Sequence, residues 1–327
     1  MRAIVHHRYG GPEVLEVADL PVPTPGSGQV LVRVHAAALN AADWRLMSAD
    51  PFLARVENGW LRPRKWPVLG SDFSGVVAAI GEGVDDISVG DAVFGDSFTA
   101  GRAAFADYVC VERAMVVAMP AALSFAAAAS APLAGVTAIQ AIRLSGRVQP
   151  DASVLIYGAG GGVGSVLTQL CVALGARVAV VCGPRSIPLV ERYGVDRIID
   201  YTAGAVVLDD STYDTIFAVN GHRRPAVYRR ALRPGGGLVI IGGKNRQIFE
   251  GLLLAPLVFL FSGKMGKVLT IDDAHRSEDL RTLAAHLADG TLQVDIDRSF
   301  ALDEARDAFR YMLGGHVQGK IVLDVAA

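Results

Sequence analysis

Along the first third of the chain, apolar and polar positions alternate in short runs broken by turn residues, the period of half-buried β-strands. VLEVADL and QVLVRVHAAAL flank a loop dense in Pro21, Pro23, Pro25, Gly26 and Gly28, and VVAAIGEGVDDISVGDAVFG repeats the pattern with glycines at its turns. Together they predict a compact antiparallel barrel. His6 and His7, neighbours on the first strand, would point to opposite faces. From Ser124 the chain turns alanine-rich, and SFAAAASAPLAGVTAIQAIRL predicts helices about a bend at Pro132. Apolar strands then alternate with helical stretches: VLIY, a helix from about Val163 to Leu174, RVAVV, a second helix closing at Tyr193-Gly194, and RIIDY. TIFAVN and GLVIIGG add two strands around a helix from Arg224 to Leu232 that stops at Arg233-Pro234-Gly235, and KVLTI supplies a sixth. Such alternation builds βαβ units closed by right-handed crossovers, which gives an α/β domain with a doubly wound parallel sheet. At the tail, DEARDAFRYML predicts an amphipathic helix and GKIVLDV a strand that returns the chain to the first domain.

A length of 327 residues suits two domains, placed at 1–122 together with the return 272–327, and at 123–271. With 51% hydrophobic and 20% charged residues the chain can bury large cores, and a net charge of -2 gives no long-range attraction to nucleic acid or to an acidic membrane. The expected partners are small molecules and further copies of the chain. Cys110, Cys171 and Cys182 are too few and too scattered for a disulfide framework, and MRAIVHHRYGG lacks the apolar core of a secretion signal. A reducing cytoplasm is the compartment this predicts. The longest apolar run, Leu252 to Phe261, is far short of the roughly 20 residues of a membrane span and is interrupted by Pro256. It reads as a buried or interface segment.

IYGAGGGVGSV is the densest candidate chemistry. A strand that ends in a glycine turn and opens a helix aims backbone N–H groups and the positive end of the helix dipole at its ligand, and a pyrophosphate suits that place. Within Gly158, Ala159, Gly160, Gly161, Gly162, Val163 and Gly164, the best register of the dinucleotide fingerprint is Ala159, Gly161 and Gly164. Gly158, Gly161 and Gly164 describe it equally well. Gly161 then admits the ligand and Gly164 lets helix pack on sheet. NAD sites place an acid roughly 20 residues further on to bind the ribose hydroxyls. Here that place holds Cys182, followed by Gly183, Pro184, Arg185 and Ser186. With no carboxylate to repel a 2′-phosphate, and with a guanidinium and a hydroxyl to hold it, the loop predicts NADPH.

With the glycine turn set behind a barrel-like domain, the chain resembles the medium-chain dehydrogenase/reductase superfamily, and within it the zinc-independent quinone oxidoreductase branch. The likeness is carried by MRAIVHHRYGGPEVLEV, VHAAALNAADWRL, PVLGSDFSGVVAAIGEGVDDISVGDAVFG, APLAGVTAIQAI, GAGGGVG, IIDYT, LRPGGGLVIIGG and GHVQGKIVL, and spans nearly all residues. It implies a GroES-like β-barrel domain plus a Rossmann domain, an active site in the cleft between them, and often a dimer. Zinc-dependent members hold their catalytic metal with Cys, His and Cys, where this chain has Asn40, Ser71 and Leu133, so the resemblance implies no metal site. The residues agree, for no C-x-x-C or H-x-x-E-H spacing occurs.

The resemblance also assigns roles. Thr137 faces the nicotinamide, Tyr201 lies by the adenosine 2′-phosphate, and Gly242 and Gly243 pass along the nicotinamide end. Asn220, where the family usually has an apolar residue, either touches ribose or caps the next helix. Asn40 and Asp43 match polar positions lining the cleft. Asn40 donates to the substrate oxygen, or instead caps a helix opening at Ala41, and Asp43 orients the substrate or a water. Trp44 and Trp66 shape the pocket or pack the barrel. Without a Lewis acid, reduction suits substrates that delocalise arriving negative charge, which predicts an NADPH-dependent reductase of quinones or α,β-unsaturated carbonyls. Two alternatives stay open here: a zinc-type alcohol dehydrogenase with an unrecognised metal site, and a non-catalytic NADPH-binding redox sensor.

Overall fold

The computed structural model describes every residue except Leu53, Ala100, His316 and Ala327, and the side chain of Glu57. It divides into two compact units, one of Met1–Leu133, Asp273–Gly290 and Val294–Ala327, the other of Ala134–Asp272 and Thr291–Gln293.

The first unit opens with β1 (Arg2–His6), β2 (Leu15–Asp19), β3 (Gln29–Ala38), α1 (Ala41–Ser48), α2 (Ala54–Asn58), β4 (Asp72–Ile80), β5 (Ala92–Asp96), β6 (Tyr108–Glu112), β7 (Val116–Ala118) and α3 (Phe125–Ala129). α4 (Pro132–Ser145) starts at the boundary. The second unit continues with β8 (Ser153–Tyr157), α5 (Gly162–Ala173), β9 (Arg177–Cys182), α6 (Ile187–Glu191), β10 (Arg197–Asp200), β11 (Tyr213–Ala218), α7 (Pro225–Ala231), β12 (Leu232–Ile240), α8 (Asn245–Leu253), α9 (Ala255–Phe259) and β13 (Met265–Val268). The chain then returns to the first unit through α10 (Arg276–Ala288), β14 (Ile296–Ala301), α11 (Ala305–Leu313) and β15 (Lys320–Asp324).

β3 is the spine of the barrel. It pairs antiparallel with β4, β6 and β15, in a sheet ordered β14-β15-β3-β4-β5-β7. Because β3 is covered on both faces, its ten residues read as a nearly continuous apolar run rather than a strict alternation. Val30, Val32, Phe73, Val93, Phe105 and Val111 fill the interior, with Trp66 among them and Trp44 packed alongside. α11 closes one end by burying Ala305, Ala308 and Phe309, whose spacing sets them on a single helical stripe. His6, the last residue of β1, is fully buried, and His7, just beyond the strand, is exposed. α3, assigned from composition to the second domain, packs its Ala129 against Ala36 and Ala38 of β3 and Val322 of β15. The first unit therefore runs on to Leu133.

In the second unit every strand pairing is parallel and the order is β10-β9-β8-β11-β12-β13. The order reverses between β8 and β11, the switch point at which open sheets of this kind hold ligands. One local expectation differs and another is narrowed. The run Arg233-Pro234-Gly235 does not follow α7 as a stop. It lies within β12, where the register against β11 shifts, because Pro234 has no N–H to give and Gly235 takes φ +75. The run Leu252–Phe261 is not buried throughout. Ala255 and Phe259 enter the core, while Leu257 and Phe261 stand 70% and 98% exposed. Among the described residues no helix is long and apolar enough to cross a membrane.

Candidate active site

Two places in the molecule carry candidate chemistry, one in each unit. The barrel site begins where β3 gives way to α1. Asn40, in extended conformation, is the residue before the first turn of α1, and the Asp43 carboxylate accepts its backbone N–H at 2.8 Å. Asp43 N–H donates in return to the Asn40 carbonyl at 3.0 Å. The helix start is thus closed by Asp43, which leaves the side chain of Asn40 free to turn elsewhere.

It turns to Asp72. Asn40 Nδ2 donates to Asp72 Oδ2 at 2.9 Å and to the Ala38 carbonyl at 3.3 Å, while Asn40 Oδ1 accepts from Lys320 Nζ at 2.7 Å. Lys320 Nζ also donates to Asp72 Oδ2 at 3.0 Å, and Leu133 N–H donates to Asp72 Oδ1 at 2.7 Å. Sheet register makes the meeting. Ala38 lies opposite Asp72 on β4 and Val322 on β15, so the end of β3 and the starts of the other two strands converge. Asp72 is fully buried and Lys320 is 4% exposed, so each charge is compensated by the other and by neutral donors rather than by water. Of the positions matched to metal ligands, Asn40 and Leu133 thus donate to a carboxylate, and Ser71 Oγ is buried with no hydrogen-bond partner among the described residues.

Around this core lie further buried charges. Burial pushes the Asp43 carboxyl up to about 6 against the pull of Arg102, and its Oδ1 has no hydrogen-bond partner among the described residues. Asp96 ends β5 directly opposite Asp72 and accepts Arg276 Nη1 at 2.6 Å. Burial first, and the nearby Asp72 second, raise its carboxyl well above the usual range. Arg102 lies over the rings of Phe98, at 4.2 Å, and Trp66, at 5.1 Å.

Sequence reasoning found Asn40 and Asp43 here and missed Asp72, Asp96, Arg102, Arg276 and Lys320. Asp72 had one signal, its place beside Ser71, and Lys320 had one, its place in GKIVL. The donor set does not fit a catalytic zinc: Asn40 Oδ1 already faces an ammonium, Leu133 offers hydrocarbon, and among the described residues no group of three or more His, Cys, Asp or Glu side chains could hold a metal.

In the second unit, β8 ends at Tyr157 and the glycine turn follows. Gly158 takes φ +97, and a Cβ there would lie 2.5 Å from the Asn220 carbonyl oxygen. A Cβ on Gly164 would lie 2.1 Å from the Gly158 oxygen, so this glycine sets helix against strand. Gly161 is the opposite case, with nothing within 4 Å of a Cβ. It precedes the 12-residue α5, beginning with Gly162, Val163 and Gly164, whose first-turn amides have no partners inside the helix. Ala159 is buried, and a Cβ on Gly160 would meet Ser186 Oγ at 2.1 Å, so turn and downstream loop touch.

Cys182 closes β9 almost fully buried, and burial raises its thiol to about 11, so it is neutral. Gly183 abuts the hydroxyl of Tyr201, and Arg185 is exposed on the short turn Pro184–Ser186. Gly242 lies beside the Val219 carbonyl, and Gly243 takes φ +97 against Gln247. Thr137 is buried on α4. Asn220 is exposed and does not cap α7, whose N-cap is Arg224. Reading β9 alone overlooked Asp200, which ends β10 in register with Cys182 and accepts both the N–H and the hydroxyl of Thr202 at 2.8 Å. The open side of Gly161, the α5 amides and the flanking Arg185 and Ser186 suit a dinucleotide.

A barrel that holds polar side chains at its strand ends, followed by a parallel sheet with a glycine turn at its switch point, defines a nicotinamide-dependent oxidoreductase of the medium-chain type. Residues 26–121 match the alcohol dehydrogenase GroES-like domain, and residues 193–323 match the zinc-binding dehydrogenase domain. The chain is 30% identical to the chloroplastic quinone-oxidoreductase QR1 of Triphysaria versicolor, over 99% of this chain and 98% of that one. It is also 30% identical to the chloroplastic NADPH-dependent alkenal/one oxidoreductase of Arabidopsis thaliana, over 99% of this chain and 79% of that one. The quinone oxidoreductase structure from Coxiella burnetii superposes with a TM-score of 0.88 at 29% identity, over 99% of both chains. This chain belongs to the medium-chain dehydrogenase/reductase superfamily, in its quinone-oxidoreductase-like branch, and is an enzyme of that kind.

Proposed function

We propose that the chain is an NADPH-dependent, zinc-independent reductase of quinones or α,β-unsaturated carbonyls. The observation that carries this reading is the barrel site, where Asn40, at one of the metal-ligand positions, is bound to an ammonium and a carboxylate, and Ser71 and Leu133 stand at the other two. Hydrogen bonds of this kind support a modest charge on oxygen, less than the full alkoxide made from a simple ketone. An enone or quinone spreads the arriving charge through its own π-system, which matches what the site provides. Two of the relatives are a quinone oxidoreductase and an alkenal/one oxidoreductase.

Bound NADPH would supply the hydride. The Gly161 turn and the α5 amides hold its pyrophosphate, and Arg185 with Ser186 takes the 2′-phosphate beside Tyr201. Asn40 offers an N–H to the substrate oxygen, with Asp43 closing the helix on which it stands. The proton that completes the reduction comes from water or a hydroxyl. Exposed apolar residues of α8 and α9 support a homodimer.

Purified protein, treated with chelator and given NADPH with a panel of quinones and enones, is expected to consume the cofactor at an unchanged rate after metal removal. Activity restored only by added zinc, with alcohols as the better substrates, overturns the reading. Silence across the panel despite NADPH binding also overturns it, in favour of a non-catalytic binder.

A further inference from the structure

We propose that Lys320 and Asp72 are positioning residues for Asn40: the ammonium holds its amide oxygen and the carboxylate its amide nitrogen, which locks and polarises the carboxamide toward a substrate oxygen. The consequence for catalysis rests on the reductase reading; the lock itself does not.

An asparagine side chain has two orientations of nearly equal shape, exchanging oxygen and nitrogen. Here they are far from equal. As placed, Oδ1 faces an ammonium at 2.7 Å and Nδ2 a carboxylate at 2.9 Å. Turned over, the NH₂ would face the ammonium and the oxygen would face the carboxylate, two repulsive contacts with charges that are themselves buried, since Asp72 is 0% and Lys320 4% exposed. Asp72 is itself held, because Leu133 N–H occupies its second oxygen at 2.7 Å.

The same contacts tune the amide. A charge-assisted bond to the oxygen draws electron density from nitrogen and makes the N–H groups better donors. One of them is spent on Asp72. The other meets the Ala38 carbonyl at 3.3 Å, longer than the usual N–H···O range, so it is the bond most easily exchanged for a substrate oxygen. Lys320 thus places its positive charge behind the amide, where it favours negative charge developing in front. Sequence separations of 32, 248 and 280 residues within the trio show that this is a product of strand register, not of local structure.

The test uses the full chain labelled with ¹⁵N, and reads hydrogen exchange of the Asn40 side-chain NH₂, one of four asparagine pairs and identified by its loss in Asn40→Ala. Lys320→Met is expected to speed that exchange by about tenfold or more, the equivalent of losing one charge-assisted bond. Lys320→Gln, which keeps a donor without charge, is expected to fall between, and carries the measurement alone should Lys320→Met not fold by circular dichroism. Unchanged exchange in the folded variant overturns the lock. In turnover assays Lys320→Met is expected to lower kcat while leaving the KM for NADPH unchanged. Added to Asn40→Ala it is expected to cost little more, because it acts through that residue. Losses that multiply in the double variant refute action through Asn40. A wild-type enzyme silent on the substrate panel but protected at the Asn40 amide refutes the reductase reading and leaves the lock standing.

Discussion

Asp43 and Asp96 are acids held where charge is expensive, and the sign of their effect on stability follows from that. Burial raises the Asp43 carboxyl from 3.8 to about 6, so between those values the folded chain holds a proton that the unfolded chain has released. Stability is then highest below pH ~4 as far as this group is concerned, and it falls as pH rises through ~6, by up to about 3 kcal/mol. Asp96, raised in the same direction, extends the fall to higher pH. Urea unfolding followed from pH 4 to 7 is expected to show a shallower decline in Asp43→Asn than in wild type; an identical slope would remove Asp43 as its source. The proposed cofactor choice also turns on single residues. Arg185→Ala is expected to weaken NADPH binding by roughly tenfold or more and leave NADH nearly unchanged, as loss of one charge-assisted phosphate contact requires. Asp200→Asn is expected to act oppositely, since its carboxylate stands at the neighbouring strand end. Fluorescence titrations of both cofactors decide this, and equal losses for both in Arg185→Ala would refute the 2′-phosphate assignment. Asp200 escaped notice in the sequence because strand pairing brings it beside Cys182, whereas Arg185 lies three residues after Cys182 in the chain.

At the level of the element, the glycine turn separates packing from binding. Gly164→Ala drives a Cβ to 2.1 Å from the Gly158 oxygen, so α5 must move off β8, at a cost of about 1–3 kcal/mol. Gly161→Ala meets nothing within 4 Å and its backbone is extended, so its stability is expected to change by less than ~0.5 kcal/mol. In the proposed binding mode the added methyl would instead occupy the side from which a pyrophosphate approaches, and NADPH affinity is expected to fall. Thermal unfolding and cofactor titration of the two variants should show opposite rankings, and a Gly161→Ala protein that binds NADPH normally would displace the phosphate from this turn. The packing role of Gly164 was legible in the sequence because strand, turn and helix are contiguous. The course of Arg233-Pro234-Gly235 was not, because a proline and glycines suit a helix stop and a strand bulge equally, and only pairing with β11 decides between them.

For the whole molecule, the parallel, doubly wound character of the second sheet was readable from alternating strands and helices, because each βαβ crossover has one hand; its strand order was not. The return of GKIVLDV to the barrel was readable too. The barrel site was not, because Lys320 and Asp72 are lone charges until β15 and β4 are laid on either side of β3. What folding leaves over is equally informative. Phe249, Leu252, Leu253, Leu254, Leu257, Leu260 and Phe261 are all exposed on α8, α9 and the residues that follow, beside β13 at the sheet edge. So dense a run of exposed large apolar side chains is what the proposed dimer interface would present. With a dimer as the proposed assembly, the same patch on two copies would meet across a twofold axis and cover itself. Sedimentation of the wild-type chain is expected to give twice the monomer mass, and Leu257→Glu with Phe261→Glu to give the monomer. Both side chains are already exposed, at 70% and 98%, so circular dichroism and thermal unfolding of each chain should hardly change. A wild-type monomer would refute the dimer, and a dimer indifferent to both charges would send the interface elsewhere.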